Sequence, residues 1–479
     1  MLQLNYYNSS QITGKNELNL LQNLPEKILQ FGTGVLLRGL CNEHIDKANK
    51  MGVFNGKIVV VKSTDKGDTL AFDLQDSLYT VCVKGIKDDA IINYDNINAS
   101  ISRVINANTH WNSILELASS ESLEIIISNT TEVGIQLVNE SITASVPKSF
   151  PAKVLGFLYE RFRKAPHLKT IIIPTELVVD NGLKLKEICI ELSNINTLGS
   201  EFMEWFEQNV TFCNSLVDRI VPGKPEKSTL HYQDDLICMA EAYNLWAIEG
   251  NEYIKNKLSF ETVNEDVVVE PNIEKFRELK LRLLNGTHTL SCGLGFLNGK
   301  NLVRENMEDP TASHFVETLM LEELALALPL SIDKKTYTDF GSEVLSRFKN
   351  PFINHKLIDI TVQYSAKMKM RNIPLLLEYS NRYQSIPNLF CKGFAGYLLF
   401  MKAIKTENGK YFGTRNNEYY PIQCDKAGVL AEAWEKSNST KELVNVVLKN
   451  TELWGEDLSK LLDFEAKVLG ELNLIIPSI

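Results

Sequence analysis

The sequence predicts an α/β protein in two parts, a doubly wound domain over residues 1–270 and a mainly α-helical domain over 271–479. Three observations predict it. Short β-branched runs alternate with amphipathic stretches in the first half, a Gly-x-Gly turn follows the first of those runs, and beyond Pro271 the apolar residues switch to helical spacing.

Taken in order, KILQF (27–31) reads as the first strand, and the amphipathic run after it carries Leu37, Leu40, Cys41, Ile45 and Ala48 on one side. KIVVVK (57–62) has the unbroken apolar character of a strand buried on both faces. LEIIIS (123–128) and LKTIIIP (168–174) repeat that pattern, and YTVCVK (79–84) reads as an added edge strand. In the second half Pro271 suits a first helical turn, with Asn272 and Glu274 close by. Phe276, Leu279, Leu283 and Leu284 then form a stripe at i, i+3, i+7 and i+8. Further helices are expected over 312–328, 356–370, 393–405, 426–436 and 458–472.

Composition narrows the function class. The 479 residues are 44% apolar and 23% charged, as in ordinary globular proteins. Fifty Lys and Arg against sixty Asp and Glu give a net charge of −10. That argues against a nucleic-acid partner, which needs a basic footprint, and leaves room for a small anionic ligand in a locally basic pocket. The eight cysteines include no CxxC pair and read as reduced, mostly buried thiols. The seven histidines form no HxH, HExxH or Cys-His cluster, so no metal is expected. The N-terminal stretch lacks a basic region followed by an apolar core, and no apolar run approaches the ~20 residues of a membrane helix. The expectation is a cytoplasmic protein with a small-molecule partner and neither nucleic acid nor membrane; the oligomeric state is not fixed by the sequence.

The turn Gly32-Thr33-Gly34 stands between the first strand and its helix, which makes the first domain Rossmann-like. Such a turn lets backbone N–H groups approach a pyrophosphate, and the helix N-terminus adds partial positive charge. The alternative is a plain tight turn, and Leu37 stands where a third glycine is usual. After the second strand, Asp65 can bind a ribose or serve as a turn residue in Thr-Asp-Lys-Gly, while Ser63 and Thr64 suit either nicotinamide cofactor. A nicotinamide cofactor is expected, and these residues leave NAD and NADP both open.

KLRLLNGTHTLSCG carries Lys280, Asn285 and His288. On an α-helix, five residues advance about 140° and eight about 80°, so the three fall within one arc. A lysine can protonate a carbonyl oxygen as hydride arrives at carbon, once burial and nearby cations lower its pKa. An asparagine amide can stabilise the developing alkoxide, and a histidine can hold a hydroxyl. The structural alternative is a solvated lysine, a capping asparagine and a core histidine.

These segments bring a resemblance into view. In the order QFGTGVLLRG, SNTTEVGI, PTELVVDNG, LVDRIVP and KLRLLNGTH, the chain resembles, over nearly its whole length, the mannitol dehydrogenase family of long-chain, metal-independent polyol and sugar-acid dehydrogenases. QFGTGVLLRG, VVVKST and PTELVVDNG are similar to the branch that reduces tagaturonate to altronate in hexuronate catabolism. The resemblance implies Lys280 as acid/base, Asn285 and Asn181 as an oxyanion hole, and His288 as a substrate-positioning residue. It implies Asp218 and Lys367 as substrate contacts, with Asp218 alternatively pairing with Arg219. Gly32, Gly34 and Arg38 would lie near the pyrophosphate, and Ser128, Asn129, Thr130 and Glu132 near the nicotinamide. Mannitol dehydrogenases have an arginine eight residues before the substrate lysine; this chain has Asp359 there, which turns the reading from polyols toward a sugar acid. Fructuronate reduction, mannitol oxidation and a non-catalytic NAD-binding sensor are the alternatives. A uronate carboxylate needs a cation in a partly closed pocket. Lys367 and Arg371 share a helical face and are the expected pair, Lys367 foremost, with Lys369 pointing to solvent.

Overall fold

The computed structural model describes residues 1–64, 69–87, 90–130, 134–143 and 145–476. They divide into two compact units, Met1–Gly85 with Ile91–Ile273 and Ile86–Ala90 with Glu274–Ile479.

The first unit is built on a six-stranded sheet of β1 (Glu26–Phe31), β2 (Lys57–Lys62), β3 (Ile101–Asn106), β4 (Ile125–Ser128), β5 (Thr170–Pro174) and β6 (Val210–Phe212). All the pairings are parallel, in the order β3-β2-β1-β4-β5-β6. The β-branched runs make this sheet because their residues have an apolar destination on either side. Ile28, Ile58, Val60, Ile125 and Ile127 feed one core, while Leu29, Val59, Val61 and Ile126 feed the other. The strand order reverses between β1 and β4, and the crevice beyond their carboxyl ends is where open α/β sheets take ligands.

Helices α1 (Val35–Arg38) and α2 (Cys41–Lys50) follow β1, α3 (Phe150–Lys164) precedes β5, and α4 (Asn181–Ile195) follows it. Ser149 caps α3, its side chain accepting from the Ala152 N–H, and Pro151 occupies the first turn, where no N–H is needed. The run 79–84, expected at an edge, lies within a central strand. Tyr79–Lys87 stands between Cys238–Glu241 and Ala90–Asn98 in a separate three-stranded sheet, and the continuous burial of Tyr79 to Val83 reflects partners on both sides.

The second unit is mainly helical. Helix α5 (Asn285–Leu297) is buried from Gly286 to Leu297 and forms its centre, with α6 (Lys334–Phe348), α7 (Tyr364–Arg371) and α8 (Asn388–Phe400) among the helices of the same unit. Helix α8 lies close on α5 because Gly393 carries no side chain: a Cβ there would stand 2.7 Å from the Leu290 carbonyl oxygen. The single helix expected over 356–370 is two, Leu357–Ile360 and α7. The break falls at Gln363, whose φ of 54° leaves the helical region, and its N–H turns to the Gln423 carbonyl at 2.8 Å. The helix expected over 393–405 ends at Phe400, and Lys405 opens a small antiparallel sheet that runs to Ile422. All eight cysteines are unpaired, and seven are buried. Among the described residues no helix is long and apolar enough to cross a membrane.

Candidate active site

In the first unit the candidate residues stand at the carboxyl ends of β1, β2, β4 and β5. Gly32 has φ 123°, donates its N–H to the Val61 carbonyl at 3.1 Å, and passes so near β4 that a Cβ would lie 2.8 Å from Asn129 O. Only glycine meets both conditions. Gly34 is different: a Cβ there would meet nothing within 4 Å, so the space over the turn is open. Leu37, in place of the third glycine, is fully buried in the core. Ser63, just past β2, has a buried hydroxyl with no partner among the described residues, while Thr64 is exposed. An open glycine turn and an orphaned hydroxyl, both at strand ends around the reversal point, fit a dinucleotide. Arg38 is turned inward: its guanidinium donates to the Leu236 carbonyl and lies between the rings of Phe72 and Tyr79, at 5.8 and 5.5 Å. Asp65 and Glu132 lie outside the described residues.

The ends of β4 and β5 are tied by a residue the sequence reading missed. Glu176 accepts from Ser128 Oγ at 3.1 Å and from Thr130 N and Oγ1 at 2.8 and 3.0 Å. Asn129 Nδ2 donates to the Thr175 carbonyl and hydroxyl, both at 3.0 Å. Burial raises the Glu176 carboxyl above its usual value, and these hydrogen bonds act against that. The available signal was an acidic residue directly after the run IIIPT, where a strand end carries it into the crevice.

Asn181 is buried with its amide fully engaged inside the same unit. Nδ2 donates to the carbonyls of Glu176 and Ser215, each at 3.0 Å, and Oδ1 accepts from the N–H groups of Gly182 and Ser215, each at 2.9 Å. Gly182 is needed because a Cβ would lie 2.5 Å from Cys213 O. The motif Asp180-Asn181-Gly182 is thus a clamp between the start of α4 and the segment after β6. Asp218 is buried at the end of the strand Ser215–Asp218, and the neighbouring Arg219 pairs with Glu43.

The candidate lysine lies in the second unit. Residues Leu279–Leu284 form a π-helical turn, and the Asn285 N–H donates to the Lys280 carbonyl. An α-helix would set Lys280 and Asn285 about 140° apart. The i to i+5 hydrogen bonding of a π turn instead brings the residue five along back over the first. Both side chains are half-buried, and the Asn285 amide has no partner among the described residues.

His288 follows on α5. Its ring stacks on Phe348 at 4.1 Å and meets His355 edge-on at 5.1 Å. Burial drives its pKa well below the usual imidazole value, and His355, Arg347, Arg371 and Lys367 push it the same way. The ring is neutral at neutral pH. Lys367 Nζ donates to the Ile360 carbonyl at 2.9 Å. Arg371 Nη1 donates to Thr289 Oγ1 at 3.1 Å, while Arg371 Nε is buried without an acceptor. Lys369 is exposed. The second unit therefore gathers Lys367 and Arg371 about His288 and adds Arg347 and His355. Sequence reading passed over those two because RFKNPFINH has no local pattern that distinguishes a core-lining cation from a solvated one.

Comparison with known proteins extends this picture. Residues 26–262 match the mannitol dehydrogenase Rossmann domain, and residues 272–475 match the mannitol dehydrogenase C-terminal domain. The chain is 35% identical to an altronate oxidoreductase of Bacillus subtilis, over 97% of this chain and 96% of that one. It is 33% identical to an altronate oxidoreductase of Halalkalibacterium halodurans, over 97% and 94%. Among solved structures, Pseudomonas fluorescens mannitol 2-dehydrogenase, in its ternary complex with NAD and D-mannitol, shares the fold with a TM-score of 0.71 at 20% identity, over 100% of this chain and 97% of that one. A D-sorbitol dehydrogenase shares it with a TM-score of 0.76 at 17% identity, over 96% and 94%.

Proposed function

The chain belongs to the mannitol dehydrogenase family and is an NAD(P)-dependent oxidoreductase, and from that premise we propose that it interconverts D-tagaturonate and D-altronate with NAD, using Lys280 as acid/base and no metal. Similarity to altronate oxidoreductases over more than nine-tenths of the chain supports the substrate. The observation that carries the chemistry is the π turn that stacks Lys280 and Asn285.

A bound nicotinamide supplies the hydride. The turn Gly32-Thr33-Gly34 receives the pyrophosphate through its backbone, Ser63 and Thr64 face the adenosine side, and Ser128, Asn129 and Thr130, braced by Glu176, flank the nicotinamide. Arg38, committed to the Leu236 carbonyl, takes no part in phosphate binding. Lys280 Nζ donates a proton to the carbonyl oxygen as that oxygen gains charge, and recovers it in the reverse direction. The unpaired amide of Asn285 donates to the same oxygen. Neutral His288 positions the substrate, and Asp218 and Lys367 contact the sugar chain. Asn181 acts as a positioning residue, since its amide hydrogens hold Glu176 and Ser215. An uncharged ketose brings no carboxylate to Arg371, which has no carboxylate partner among the described residues, and this favours a sugar acid over fructose or mannitol.

The test is a panel of tagaturonate, fructuronate and fructose with NADH and NADPH, followed at the nicotinamide absorbance, with Lys280→Ala beside the wild type. Tagaturonate with NADH should be reduced fastest. The variant should lose at least ~10²-fold in kcat, the low end for a positioned acid/base, while still binding NADH. Faster reduction of fructose, or near-normal turnover by Lys280→Ala, overturns the reading.

A further inference from the structure

We infer that Arg371, together with His288 and His355, forms the subsite for the terminal carboxylate of the substrate, with Arg371 rather than Lys367 as its anchor. The inference rests on the sugar-acid reading above and deepens it.

Arg371 ends α7, and its guanidinium reaches α5 through the hydrogen bond from Nη1 to Thr289 Oγ1. No carboxylate pairs with it among the described residues. Its Nε is buried and has no acceptor. Cys292, the thiol nearest in effect, is itself pushed up to about 11 by burial and stays neutral, so it supplies no counter-charge. A largely buried guanidinium without an anion is costly, and folded proteins retain such a group where a ligand completes it. With Nη1 held by Thr289, the Nε and Nη2 edge remains, and those two parallel donors match the two oxygens of a carboxylate.

The surroundings agree. His288 is 6% exposed, and neither its ring nor that of His355 has a hydrogen-bond partner among the described residues. Arg347, Lys367 and Arg371 all bear on the His288 ring, and Asp359 bears on His355. This is a concentration of positive charge in a chain of net charge −10. Lys367 is the weaker anchor: its ammonium already donates to the Ile360 carbonyl, and a point charge has no fixed pair of donors to orient a carboxylate. The imidazoles each add one N–H donor without adding charge.

The experiment compares tagaturonate with fructose as substrates of the wild type, Arg371→Met, Arg371→Lys and Lys367→Met. It also measures calorimetric binding of D-galactonate, a six-carbon acid with no keto group. Arg371→Met should lower the acid-over-ketose ratio of kcat/KM at least ~10-fold, the low end for a charge-assisted hydrogen bond. Arg371→Lys should recover part of that loss, and Lys367→Met should change the ratio less than Arg371→Met. Thermal melting and NADH binding establish that each variant is folded. An unchanged ratio in folded Arg371→Met, or a larger loss in Lys367→Met, overturns the assignment of the anchor. If the wild type ignores tagaturonate but binds galactonate, and Arg371→Met abolishes that binding, the substrate reading fails and the carboxylate subsite stands. If galactonate binds equally to both, the subsite fails.

Discussion

Asn285 has an amide aligned with Lys280 by one π turn and no acceptor among the described residues. A half-buried donor without a partner is retained at a cost, and a transient alkoxide is the acceptor that the proposed chemistry provides. Asn285→Ala should therefore lower kcat by ~10²–10³-fold, the range for losing one such donor, and change KM little, because the interaction strengthens only as charge develops. Steady-state kinetics decide it: a rise in KM with kcat preserved would mean that Asn285 only binds substrate. That Lys280, Asn285 and His288 stand on one helical segment was legible in the sequence; the π turn was not, because ordinary α-helical spacing sets Lys280 and Asn285 about 140° apart. Arg347 and His355 were not, because they reach His288 through tertiary packing about sixty residues downstream. Asn181 was legible as a position, but its four hydrogen bonds are visible only once Glu176 and Ser215 are seen to converge on it.

The helix that carries Asn285 and His288 depends on its contact with α8. Gly393 meets the backbone of α5, where a Cβ would stand 2.7 Å from Leu290 O and 2.9 Å from Leu290 Cβ. Backbone cannot rotate away as a side chain can, so Gly393→Ala forces the helices apart. The variant should lose about 1–3 kcal/mol of stability, as overpacked cores do, and turnover should fall with it because α5 shifts. Thermal unfolding and kcat measured on the same preparation test this; a stable variant with reduced activity, or the reverse, would separate the two effects. At this scale the sequence was read well wherever a run was apolar throughout. β1, β2, β4 and β5 were anticipated because both faces of the sheet are covered. β3, with Ser102 and Arg103 between Ile101 and Val104, sits at the sheet edge and lacks that signature. The break at Gln363 escaped notice because glutamine is an ordinary helix former, and its left-handed φ is imposed by the hydrogen bond to Gln423.

For the molecule as a whole, buried histidines set the acid limit of stability. His44 is 4% exposed, with Nδ1 3.0 Å from Asn264 Oδ1, and burial is the main reason its pKa is lowered to about 4. In the unfolded chain it titrates near the ordinary value of about 6.5. The unfolded state therefore binds the extra proton first as pH falls, so this contribution is complete above pH 6.5 and is lost between about 6.5 and 4. The loss is about 3 kcal/mol at pH 4 from His44 alone, and His288 acts in the same direction. Melting temperatures measured from pH 7.5 to 4.5 should fall steeply for the wild type and less steeply for His44→Gln, which is less stable at neutral pH. Parallel curves for the two proteins would remove His44 from this role.

The π turn also constrains how a gene encoding this chain can vary. Its geometry accommodates one residue more than an α-helical repeat takes up between Lys280 and Asn285. Substitution within 281–284 alters packing but leaves the count intact. Deletion of a single codon there would let the segment relax into ordinary helix with the lysine and the asparagine four residues apart, about 40° round the axis and still on one face. The segment can therefore drift in composition and even shorten by one residue; what it must keep is one full turn between the lysine and the asparagine, five residues in a π turn or four in an α-helix.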